Sequence, residues 1–182
     1  MRRFILLTCF SFFISCNNNK EQPSITESIT NLKRGTVISC GPQEGEIFGK
    51  VSFDATIPSA LQKDFNTAIA LLHSFEYDEA EKMFAKIIDA SPGCAMAYWG
   101  VAMSNFHPVW MPPTSPELQK GLQAINISRS IKNKTKRESD YIEALAQFYE
   151  HADEFDHRSR VLKFEKAMET LYQTYPEDKD PI

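Results

Sequence analysis

Glycine is scarce in this chain: 7 residues of 182, against 13 Phe and 6 Tyr. Few glycines beside many aromatics argue against a fold of tightly turned sheets and favour packed helices. Positive charge is not in surplus either. Lys and Arg number 20, Asp and Glu 24, and the formal charge is −4. Such a chain has little with which to neutralise phosphates, so nucleic acid is not an expected partner. No uncharged apolar run reaches the ~20 residues that a membrane-spanning helix needs. The spacings HExxH, CxxC and CxxCH are all missing, and no cofactor is expected. What remains is an ordinary globular mixture, 42% hydrophobic and 24% charged, enough for one domain with a tail.

The N-terminus carries an address. Arg2 and Arg3 form a short positive region, and residues 4–14 are apolar and uncharged. That length suits the core of a signal peptide. Ser15 and Cys16 follow, then a polar stretch. A small residue before a cysteine at this place resembles a bacterial lipobox, although Phe13 stands where most lipoboxes carry leucine. The resemblance implies a signal over residues 1–15, lipidation of Cys16, and a membrane anchored through that N-terminal lipid. The implied location is the cell envelope, at the outer membrane. Residues 16–50 read as a flexible tether and extended arm: residues 17–36 are polar and aperiodic, and residues 37–53 hold three of the glycines. Export also sets the cysteine chemistry. Cys40 and Cys94 remain in an oxidising compartment, where they either pair across a long loop or stay buried and reduced.

Residues 51–182 repeat with a period of 34. Pro58 maps onto Pro92, Ala68 onto Ala102 and His73 onto His107, while Phe65 maps onto Trp99 and Leu72 onto Phe106. Leu61, Phe65, Ala68, Ile69 and Leu72 recur at helical steps, as do Ala80, Met83, Phe84, Ile87 and Ile88. Residues 74–78 make a short polar-aromatic connection. Ser91 and Pro92 predict a helix start. Residues 94–103 are apolar nearly all round, which predicts a buried helix. A further helix is expected from Ser115, another behind a Thr135/Glu138 capping box, and a last one from His157 to Tyr175.

The period and the set Ala68, Tyr77, Ala80, Phe84 and Pro92 resemble the tetratricopeptide family. The resemblance implies an all-α fold: an α-solenoid of three antiparallel helix pairs in a right-handed superhelix. In it Ala68 and Ala80 let helices approach, and Tyr77 and Phe84 fill the space beside them. Over about residues 48–180 the chain is also similar to a group of exported bacterial tetratricopeptide proteins. The similarity is carried by residues 71–75, 94–100 and 107–110. Many members hold a cysteine where this chain has Thr56, Ile57 and Pro58. Residues 176–182 look like a turn into another repeat, so a truncated C-terminus is expected.

The repeat makes His73 and His107 equivalent, on adjacent helices. Together they are suitable either as ligands to one metal or carboxylate, or as histidines that favour a helix C-terminus. His151 and His157 flank the last turn beside Asp153, Glu154 and Asp156. Trp99 reads as core or groove wall. Trp110 sits among Pro108, Pro112 and Pro113, either as an exposed anchor or folded back over the core. The reading that follows is a non-enzymatic, lipid-anchored scaffold binding a protein or peptide, with His73, Trp99, His107 and Trp110 as candidate contacts. The alternative is a metal- or small-ligand-binding envelope protein using His73 and His107, hydrolytic in a longer form.

Overall fold

A computed structural model describes residues 29, 31–38, 51–107, 109 and 111–178. The signal peptide, Cys16, Cys40, Trp110 and the last four residues lie outside the described residues. Among the described residues six α-helices follow one 3-10 turn at Ser59–Leu61: α1 (Gln62–His73), α2 (Tyr77–Ala90), α3 (Ala95–Phe106), α4 (Ser115–Ser130), α5 (Lys136–Tyr149) and α6 (His157–Thr174). Among the described residues there is no strand. Each helix packs on the next, and α3 also touches α1 and α5.

Local chemistry explains the boundaries. Asp78 and Glu79 lie in the first turn of α2, where negative charge suits the helix dipole. Its Ala80, Phe84, Ala85, Ile87 and Ile88 form one buried stripe. At the start of α4 the Thr114 N–H donates to Glu117 Oε2 at 2.8 Å, and Pro116 fits the first turn. At α5 the box is reciprocal: Glu138 N–H donates to Thr135 Oγ1 at 3.1 Å, and Thr135 N–H to Glu138 Oε2 at 2.6 Å. Asp156 caps α6 by accepting from Ser159 N–H at 2.7 Å.

The core is aromatic where helices cross and bare where they come closest. Phe53 sits 5.8 Å from Phe65, 6.0 Å from Trp99 and 5.5 Å from Tyr141, ring to ring. Phe106 stands 4.4 Å from Phe148 and 5.1 Å from Phe164. Ala68 and Ala80 are fully buried, as is Phe84. Gly100 of α3 lies against the Phe84 ring, and Gly121 of α4 against the Tyr149 ring; a methyl group at either would overlap its neighbour. Tyr149 then donates its hydroxyl to the Ala102 carbonyl at 2.6 Å. Every residue of α3 is buried, as its all-round apolarity predicts.

One expectation needs correction. Ser91 and Pro92 do not open α3. Cys94 N–H donates to the Ser91 carbonyl at 3.0 Å, so the chain turns once through Pro92 and Gly93, and the helix starts at Ala95. Pro92 therefore holds a turn rather than a first helical position. Within the stretch read as tether and arm, the described residues 29 and 31–38 sit against the helices. Ile29 and Leu32 are buried in the core. Arg34 grips Asp89 with two hydrogen bonds, at 2.9 and 3.1 Å, Lys33 pairs with Asp78, and Ile38 N–H donates to Glu79 Oε2 at 2.6 Å. Two apolar side chains spaced three apart are enough to seat a short segment that shows no periodicity.

Candidate functional site

The arm meets the helices over a buried charge. Glu81 of α2 is 1% exposed and Lys120 of α4 is 9% exposed. Lys120 Nζ donates to both carboxylate oxygens, at 2.8 and 2.9 Å, and to the Asn31 carbonyl at 3.2 Å. Asn105 Nδ2 and Lys33 N–H complete the set at 3.0 and 2.8 Å. Three segments of chain thus converge on one carboxylate of α2. This arrangement is structural: the hydrogen-bonding capacity of the ammonium is used within the fold.

Beside it, the turns that follow α1 and α3 border an open cleft of about 680 Å³. Three aromatic rings form one wall. Tyr77 stacks on His107 at 5.3 Å and meets the edge of Phe75 at 6.4 Å. Phe75 and His107 both have left-handed backbones, φ +61° and +49°. A bulky residue adopts that conformation at a cost, and the turns after the two helices hold it there. Phe75 is 49% exposed, and Ile38 and Met111, on the same cleft, are each 69% exposed. Glu76, Asp78 and Glu79 line it as well, and no described lysine or arginine does. Burial pushes the Tyr77 phenol above its ordinary value. Burial acts upward on Glu79 too, but Lys82 and the Ile38 N–H outweigh it and hold that carboxylate low.

The candidate residues separate. His107 borders this cleft, with Nε2 3.6 Å from Glu117 Oε1. His73 ends α1, is exposed, and does not line it. His73 is the last residue of α1, and His107 follows the last residue of α3 with a left-handed backbone. Among the described residues no group of three or more His, Cys, Asp and Glu could hold a metal ion. Trp99 is 2% exposed, wedged between Phe53 and Tyr141. As a ligand contact it is corrected to a core residue. Cys94 is a free thiol, buried, and burial raises it to about 11; its proposed partner Cys40 is outside the described residues.

At the last turn, His151 Nδ1 lies 3.2 Å from Glu154. His157 Nδ1 and Arg160 Nε are buried without a hydrogen-bond partner. Burial, then the Arg160 charge, pushes the His157 imidazole below its ordinary value. The Arg160 guanidinium lies 4.6 Å from the centre of the Phe148 ring and donates to the Phe148 carbonyl at 3.0 Å. Sequence reasoning missed the cleft itself. Its only signals were Phe75 in an otherwise polar turn and Met111 beside the Pro-rich stretch. Compared with protein-family models, with curated proteins and with solved structures, the chain finds no match in any of the three.

Proposed function

We propose that this chain is a tetratricopeptide-like scaffold, held at the bacterial envelope by lipid on Cys16, that binds a protein or peptide segment. On this reading the helices form three antiparallel pairs in a right-handed solenoid. The stacking of α3 on both α1 and α5 supports it, since repeat architectures contact mainly their neighbours. The observation that carries the binding reading is the open cleft with its exposed Ile38, Phe75 and Met111. Apolar side chains clustered around one concavity mark an interaction site; scattered ones do not. His107 is kept as a contact in that cleft, and Trp110 as a neighbour in sequence.

Two experiments test it. Mass spectrometry of the N-terminal peptide from membrane-fractionated protein should find diacylglycerol on Cys16, abolished in Cys16→Ser. A random-peptide display selection on the full chain in detergent should enrich related sequences. A soluble, unmodified Cys16 refutes the anchor, and an empty selection refutes the scaffold.

A further inference from the structure

We propose that α1, α3 and α5 form a second binding groove, and that residues 51–57 of this chain occupy it as a built-in ligand. The segment that displaces them is an extended stretch of a partner protein with a phenylalanine and, three residues on, a threonine or serine. The groove shares no residue with the Phe75 cleft, so the inference stands apart from the proposed function. Three observations carry it.

The first is how the segment is held. Residues 51–55 have no regular secondary structure. Among the described residues, the backbone of this segment bonds only to helix side chains. Phe53 N–H donates to Asn66 Oδ1 at 3.4 Å, and Gln62 Nε2 donates to the Phe53 carbonyl at 2.9 Å. Arg137 Nη1 donates to the Asp54 carbonyl at 3.0 Å. Thr56 gives its N–H and its hydroxyl to the two oxygens of Glu138, at 2.5 and 2.7 Å. The segment's polar groups are thus satisfied as those of a bound peptide are, by side chains of α1 and α5.

The second is that the seat is prepared by the helices and the C-terminal turn. Gln62 donates to Asn66 at 3.0 Å, Asp178 holds Arg137 with two hydrogen bonds at 2.5 and 2.7 Å, and Thr135 N–H fixes Glu138 at 2.6 Å. Groups positioned in advance lower the ordering cost of binding. Phe53 is the anchor. It is buried between Phe65, Trp99 and Tyr141, with the Arg137 guanidinium 4.3 Å from its ring centre. Glu138 is buried too, and its described donors are all neutral. An occupant must therefore bring donors where Thr56 brings them.

The third is that the segment fills its seat incompletely. Of residues 51–58 only Phe53 is buried; Ser52, Asp54 and Pro58 are exposed and the rest are half-buried. A segment with one buried side chain has little apolar surface holding it down. Ser52 and Asp54 border an open cavity of about 640 Å³ beside Arg137 and Tyr175. A second copy of the chain offers only the same small side chains. A partner segment with a bulky apolar residue before its phenylalanine covers surface that Ser52 leaves in water, and so outcompetes the resident one.

The test adds peptides to the full chain in detergent. Phe53→Ala empties the seat and should lower the Tm by about 6 °C or more. A capped peptide copying residues 51–57, at about 1 mM, should return about 3 °C or more. The same peptide with alanine for its phenylalanine should return nothing. By fluorescence anisotropy the labelled copy should bind Phe53→Ala about tenfold or more tighter than the parent, whose own segment competes. Leucine in place of the peptide's serine should tighten binding about threefold or more. Thr56→Ala keeps the anchor and loses one donor; it serves where Phe53→Ala fails to fold, and should also bind the copy tighter than the parent does. No binding to either variant, or equal binding of the phenylalanine and alanine peptides, overturns the proposal, and the segment is then a fixed part of the core. No gain from leucine, or a parent dimer that Phe53→Ala abolishes, overturns the choice of a partner over a second copy.

Discussion

Replacing Lys120 with Met should cost this fold more than any exposed charge change. The side chain keeps its length and loses its ammonium. Glu81, 1% exposed, then keeps only the neutral donors Lys33 N–H and Asn105 Nδ2. Breaking a buried pair from one side costs about 3–5 kcal/mol. The two surviving hydrogen bonds place the value at the low end, about 3 kcal/mol. In a chain of this size that lowers Tm by about 6–12 °C. The double variant Glu81→Gln/Lys120→Met removes both charges and leaves an amide oxygen to accept from Lys33 N–H. It should be closer to the parent than Lys120→Met alone, a non-additivity expected of contacting groups. Thermal melts and urea unfolding at pH 7, followed by far-UV circular dichroism, measure the two singles, Lys120→Met and Glu81→Gln, and the double variant. Lys166→Ala, whose partner Glu169 is also exposed, is the control and should leave the midpoint unchanged. A Tm shift below about 2 °C for Lys120→Met, or a double variant equal to the sum of the singles, refutes the reasoning.

Gly121→Ala should destabilise by about 1–3 kcal/mol, because the new methyl overlaps the Tyr149 ring; helix propensity alone predicts a gain of up to about 1 kcal/mol, so the sign of the Tm change decides. Thr135→Ala removes a cap acceptor of α5 and should cost about 1 kcal/mol in urea unfolding; no change means the box is not holding the helix. Burial raises the Asp178 carboxyl, but Arg137 and the Tyr141 hydroxyl outweigh it and hold it below its ordinary value. Its contribution is therefore present above about pH 4 and lost as pH falls further, so the parent should lose more Tm than Asp178→Asn between pH 5 and 3; parallel curves contradict this. Iodoacetamide should label the Cys94 peptide slowly in the native protein at pH 8 and quickly in urea, since its thiol is buried and raised to about 11; equal rates refute its burial.

The helices were legible because their signals are local. The stripe Ala80, Phe84, Ile87 and Ile88 and the Thr135/Glu138 box each lie within a few turns of chain, and each stands where its period or spacing puts it. Ser91-Pro92 suits a turn as well as a cap, and with Gly93 next the chain turns there before α3 begins at Ala95. Longer-range features left no trace. Lys120 and Asn31 meet across 89 positions, and no pattern in either segment announces the other. Of the candidate site, His107 was singled out. Its left-handed backbone is a feature that a 34-residue period does not encode. The cleft needed the arm, two turns and Met111 in one place, which is a property of the tertiary fold.

The complete burial of α3 also governs how the molecule opens. A helix with no solvent-facing residue cannot fray alone, because every turn is covered by a neighbour. Its amide protons can exchange with solvent only when the fold opens as a whole, so their exchange rate reports global stability. The same twelve residues, Ala95–Phe106, form a sticky apolar stretch once opened. For this chain the rare global opening is also the step that exposes a surface for aggregation.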